Sequence, residues 1–110
     1  MPGNAIGVDE LTISSAVRGG TIEIGLAGAL DMAAAFGAES EVDRLLATPG
    51  LEAVALDLGD VGFLDSAGLG TLLSIRDHAS RRGLGVRIAR MSAPVRRVLD
   101  ATATRGILGG

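Results

Sequence analysis

The sequence predicts an α/β domain in which a mixed β-sheet is packed by amphipathic helices. Three observations carry this. Two alternating segments flank Arg18-Gly19-Gly20, Ala53–Leu58 is nearly continuously apolar, and three further segments place apolar residues at helical spacing. At 110 residues, 47% of them hydrophobic, the chain has the size of one domain and enough apolar matter for a core. Phe36 and Phe63 are the only aromatics, so that core is expected to be aliphatic.

Residues 1–10 read as a flexible lead-in and 11–110 as the domain. Leu11–Val17 alternates as a half-buried strand does, and Thr21–Ala27 alternates again, with Ile22, Ile24 and Leu26 on one side. The glycines between them accept the positive φ of a tight turn, which predicts an antiparallel hairpin. Asp31 is placed to cap a helix running to about Ala47, with Ala34, Ala38, Val42, Leu45 and Leu46 inward. Ala53–Leu58 has the pattern of a strand covered on both faces. Gly59–Leu64 reads as a loop. A second helix is expected over Ser66–Arg82, with Ser66 at its N-cap and Gly83 just past its end. Gly85–Arg90 is a further strand. Ser92 caps a third helix with Pro94 in its first turn, where a missing N–H costs nothing, and with Val95, Val98, Leu99 and Thr102 inward. The order is ββαβαβα.

Composition excludes several classes of chemistry. Cys is absent, which removes disulfides and thiolates and fits a cytoplasmic location. His78 is the single histidine, so no multi-histidine metal site exists within one chain, and it reads as a surface residue. No apolar run approaches the ~20 residues that cross a bilayer, and Met1–Glu10 lacks the pattern of a signal peptide. Lys is absent, which rules out a P-loop, and the dinucleotide fingerprint is missing. Residues 1–80 hold twelve acids against three arginines, net −9; residues 81–110 hold seven arginines against one acid, net +6. Without aromatics beside them for stacking, those arginines read as solvated faces or local ion pairs rather than a nucleic-acid surface.

The informative stretch is Phe63-Leu64-Asp65-Ser66-Ala67-Gly68-Leu69-Gly70, which joins a strand to a helix. Its plainest reading is structural: Ser and Asp cap helices, and Gly68 and Gly70 allow close packing. Two glycines in the first turns each cost a helix about 1 kcal/mol against Ala, so beside that structural reading stands a second, that something needs close backbone approach there. A hydrolytic Ser66 would need a base in reach, and His78 lies twelve residues along the same helix, about 18 Å away. The Gly-x-Ser-x-Gly elbow is also missing, since position 64 is Leu. No catalytic constellation can be assembled, so the chain reads as a non-enzyme without cofactor.

The stretch from Val54 to Leu58 followed by Phe63–Gly70 resembles the central motif of the STAS family. Leu26-Ala27-Gly28-Ala29-Leu30-Asp31 resembles the end of that family's second strand, with Ala29 where Glu is commoner. Ser92-Ala93-Pro94-Val95-Arg96-Arg97-Val98-Leu99 resembles the start of its third helix. The three matches fall in family order. The resemblance implies a STAS-type sandwich with a mixed four- to five-stranded sheet. It further implies an anti-sigma factor antagonist, phosphorylated at Ser66 by an anti-sigma factor with serine kinase activity and reset by a serine phosphatase. Asp31, Leu64, Asp65, Ser66, Ala67, Gly68 and Leu69 are the partner-binding residues it implies. An accessory subunit of a lipid-transport ATPase complex, or a stressosome-like scaffold part, is the alternative setting.

Overall fold

A computed structural model describes residues 5–8 and 10–102. Five strands form one mixed sheet in sequential order: β1 (Ala5–Val8), β2 (Leu11–Arg18), β3 (Thr21–Leu30), β4 (Ala53–Leu64) and β5 (Gly85–Met91). β1, β2 and β3 pair antiparallel, whereas β3, β4 and β5 run parallel. The two parallel steps need crossovers, supplied by helices α1 (Met32–Leu46) and α2 (Ser66–Arg81). α3 (Ala93–Ala101) follows β5. Ala5–Val8 therefore corrects the expected lead-in: it pairs with Leu11–Ser14 and adds a strand at one edge. Residues 1–4 and 9 of that lead-in, and 103–110 of the expected domain, lie outside the described residues.

The β2–β3 hairpin turns at Gly19 and Gly20, with φ of 55° and 83°. Register places Ile22 beside Val54 and Ile24 beside Leu56, so one face presents continuous aliphatic rows. Against it pack Ala34, Ala38, Val42, Leu45 and Leu46 of α1 and Leu72, Ile75 and Ala79 of α2, all buried in one cluster. Val95 and Leu99 of α3 complete the cluster; Val98 is only partly buried and Thr102 is exposed, so the inner face of α3 is narrower than expected. α2 ends in a Schellman motif: Leu84 N–H donates to Ala79 O at 2.9 Å and Gly83 N–H to Ser80 O at 3.0 Å, with Gly83 at φ 75°. Both phenylalanines are exposed, which leaves the core aliphatic.

The expected loop over Gly59–Leu64 is instead the second half of β4. Pairing with β3 continues to Leu30↔Leu64 through two register shifts, each inserting an extra residue in β4. The inward residues are consequently Leu58, Val61 and Leu64, spaced by three rather than two. Gly59, Asp60 and Gly62 look like a loop in sequence because glycines within strands mark such bulges. This extension is held from the side by α3, whose cap Ser92 donates through Oγ to Val61 O at 2.6 Å. β4 thus delivers Leu64 and Asp65 to the sheet end where both helices begin.

Arg90 lies across Gly59, where any Cβ would meet the guanidinium carbon at 2.6 Å. It donates to Asp57 at 2.9 Å and Asp60 at 3.2 Å. Partial burial pushes the Asp57 carboxyl up, but the hydrogen bonds from Arg90 and the Gly59 N–H, with the Arg90 charge, outweigh this and hold it below the ordinary carboxylate range. A carboxyl depressed in the folded state contributes stability above its unfolded value, near pH 4, that is lost as pH falls through the folded value. Arg90→Ala is therefore expected to lower the urea midpoint modestly at pH 7 and to leave it unchanged near pH 2. Midpoints measured across that range check the sign.

Candidate functional site

The N-termini of α1 and α2 lie side by side, and two aspartates organise them. Asp31 caps α1, its Oδ1 accepting from Ala34 N–H at 3.1 Å. Asp65 caps α2, its Oδ1 accepting from Gly68 N–H at 2.8 Å. The other oxygen of Asp65 reaches across and accepts from Met32 N–H at 3.1 Å. One carboxylate thus satisfies an orphan donor on each of two helices and ties them together. This corrects the expected cap: Asp65, not Ser66, occupies it, and Ser66 is the first helical residue. The cause is chemical, since an ionised carboxylate can accept from both helix starts and a hydroxyl cannot.

Freed from capping, Ser66 is exposed, and its hydroxyl has no hydrogen-bond partner among the described residues. It stands at a positive helix end, where N–H groups favour an anion. Ala67 and Leu69 are half-buried beside it. Leu64 and Gly68, the other motif residues expected at the partner contact, are buried. A Cβ at Gly68 would sit 2.0 Å from Leu30 O and 2.6 Å from Leu64 Cδ1, so this glycine is required by the chain's own packing. Gly70 differs: it is exposed, and a Cβ there would meet nothing within 4 Å.

Asp65→Ala removes a cap and the cross-brace together. It is expected to cost about 2 kcal/mol, at the upper end of cap losses because a second helix is released as well. Asp65→Ser, which keeps the cap and loses the reach to Met32, should fall between wild type and Asp65→Ala in chemical denaturation.

Sequence reasoning missed the apolar surface around these helix starts. Met32 is 76% exposed, Phe36 85% and Phe63 53%. The available signal was that Phe36 falls off the inward stripe of α1. Behind Phe63, a groove of about 330 Å3 runs between the end of β4 and α3, lined by Phe63, Leu64, Pro94, Arg97 and Val98. At the other end of the two helices, His78 is half-buried rather than a free surface residue. Its Nδ1 lies 2.8 Å from Asp43 Oδ1, and Arg82 reaches the same oxygen at 3.4 Å. The His78 hydrogen bond, opposed by slight desolvation and aided by Arg82, holds the Asp43 carboxyl below its ordinary value. Ser66 and His78 thus occupy opposite ends of α2. Among the described residues no group of three or more His, Cys, Asp or Glu could hold a metal ion. Among the described residues no helix is long and apolar enough to cross a membrane.

This arrangement, a mixed sheet whose central parallel strand leads through Asp65-Ser66 into a helix, defines a class of small α/β domain. Residues 12–108 match the STAS domain family model, and the chain belongs to that family. A STAS-domain containing protein of Pseudomonas aeruginosa (strain UCBPP-PA14) is 30% identical over 89 residues, which are 81% of this chain and 86% of that protein. Among solved structures, an anti-sigma factor antagonist from Mycobacterium paratuberculosis superposes with a TM-score of 0.79 at 22% identity, over 93% of this chain and 86% of that one. The anti-sigma factor antagonist SpoIIAA in its unphosphorylated form gives 0.70 at 19%, over 88% and 82%. The phosphorylated form of SpoIIAA from Bacillus gives 0.60 at 20%, over 87% and 86%. These similarities establish the fold.

Proposed function

We propose that the chain is an anti-sigma factor antagonist that works by partner switching. Unphosphorylated, it binds an anti-sigma factor and releases the sigma factor; phosphorylation of Ser66 by that factor's serine kinase activity ends the binding, and a serine phosphatase restores it. The observation that carries this reading is Ser66 itself: an exposed, unpartnered hydroxyl at the start of α2, in a fold shared with such antagonists. SpoIIAA, whose structure exists in both phosphorylation states, supports the same reading.

The chain acts as substrate and ligand, not as an enzyme. Ser66 Oγ attacks the γ-phosphorus of ATP held by the partner, the bond to the β-phosphate oxygen breaks, and the hydroxyl proton passes to a base of the partner. Asp65 is a poor candidate for that base, because both its oxygens already accept backbone N–H groups. The product carries about −1.5 to −2 charge next to Asp65. The fold tolerates it, since it sits at a helix N-terminus. The complex does not, since the new dianion faces ADP phosphates and must be desolvated. This reading implies a cytoplasmic setting and a protein partner rather than nucleic acid or membrane.

The test is binding. Purified chain, titrated against each kinase-type anti-sigma factor of its own genome, should bind at least one and displace that factor's sigma subunit. Binding to none of them, with recovery of a transporter ATPase from cell extract instead, would favour the accessory-subunit reading.

A further inference from the structure

We propose that the face of the sheet opposite the helices is a contact between two copies of this chain, related by a two-fold axis that runs along β4 over Ala55. This goes beyond the functional reading above and does not depend on it.

All three helices bury their apolar residues in one cluster with Ile22, Ile24, Val54 and Leu56, which puts them on one side of the sheet. Side chains alternate along a strand, so Glu23, Gly25, Ala55 and Arg87 turn to the other side. Ala55 accordingly is the one buried apolar residue, among those described, that stands outside the cluster. Strand register sets a row across this second face: Glu23 of β3 is level with Ala55 of β4, and Ala55 with Arg87 of β5. Glu23 and Arg87 thus flank Ala55 at equal distances, about 5 Å to either side. Both are exposed. Arg87 has no ion pair or side-chain hydrogen bond with any described residue. Glu23 accepts from Arg18 through Oε1 at 3.1 Å, and its other oxygen accepts nothing from the described residues.

This spacing of opposite charges makes the face complementary to itself. A half-turn about a line along β4 exchanges the two sides of that strand, so Glu23 of each copy comes opposite Arg87 of the other, and one row yields two ion pairs. Stacked sheets lie about 10 Å apart, a gap that a glutamate and an arginine side chain span together. Ala16, Gly25, Ala53 and Ala55 leave that gap clear. Asp57 would meet its own counterpart near the axis, but Arg90, bonded to it at 2.9 Å, offsets the repulsion. The patch spans four strands, about 400 Å2 per copy, which is the size of a weak, reversible contact. Both helix layers stay outside, so Ser66 of each copy remains exposed.

Sedimentation equilibrium of the full chain at concentrations up to about 500 µM tests the contact. The wild type should dimerise with a dissociation constant on the order of 100 µM. Glu23→Arg and Arg87→Glu each set like charges against each other twice, and each variant alone should associate at least about tenfold more weakly. Thermal melts should show both folded, since the side chains changed are exposed. An equimolar mixture of the two variants should associate again at about wild-type strength, because both pairs then join opposite charges. Damage to folding cannot give that rescue, and neither can a contact elsewhere on the molecule. A wild type that stays monomeric at the highest concentration, single variants that dimerise as the wild type does, or a mixture without rescue would each overturn the proposal while leaving the functional reading intact.

Discussion

Ser66→Asp is expected to weaken binding to the anti-sigma partner about a hundredfold while leaving the melting temperature within a degree or two of wild type. The two halves of this expectation have one cause. Ser66 is the first residue of α2, where unsatisfied N–H groups and the helix dipole favour negative charge by about 0.3–1 kcal/mol. The side chain is exposed and donates no hydrogen bond that a carboxylate would forfeit. Stability is therefore nearly indifferent to the change. A partner that packs over this position must strip water from the new charge without a counter-ion, and about 3 kcal/mol lost there corresponds to the hundredfold figure. Calorimetric titration beside a thermal melt reads both halves. Unchanged affinity would show that charge at Ser66 does not control the interface.

Gly68→Ala is expected to be the most destabilising single-methyl change among the residues of the motif. An alanine in a helix interior ordinarily gains about 1 kcal/mol over glycine. Here the added Cβ would fall 2.0 Å from Leu30 O, a backbone atom in the last residue of β3, and 2.6 Å from Leu64 Cδ1. Neither can yield locally: Leu30 is fully buried beside the Asp31 cap, and Leu64 is buried at the end of β4. α2 must lift from the sheet, losing contacts of Leu72 and Ile75 as well. Overpacking of this kind costs up to about 3 kcal/mol, against a total near 5–15 kcal/mol for a domain. A fall in urea midpoint at unchanged slope would measure it. Paired with Gly70→Ala, which should stabilise, it separates two glycines that the sequence presents as equivalent.

Much of this fold is legible in the sequence because apolar spacing decides it. The five inward residues expected of α1 are buried, as are Val95 and Leu99 of those expected of α3. The caps Asp31 and Ser92 accept from Ala34 and Val95 N–H groups. What escaped depends on contacts distant in sequence. β1 has no recognisable pattern of its own in four residues and exists through pairing with β2. The end of β4 hides its strand character because two bulges turn a period of two into three. The cap of α2 falls to Asp65 rather than Ser66 because a carboxylate there also meets Met32, thirty-three residues earlier. The site was legible as a motif, but its division of labour was not: Asp65 and Gly68 build the platform, and Ser66 and Gly70 stand free on it.

The central claim is that Ser66 is the switch. Intact-mass spectrometry after incubation with ATP and the anti-sigma factor that binds the chain tests it most directly, with Ser66→Ala as control. The account predicts a gain of one phosphate in the wild type, none in Ser66→Ala, and release of the modified chain from its partner. A phosphate that persists in Ser66→Ala, or a wild-type chain that binds its partner and is never modified, would contradict it.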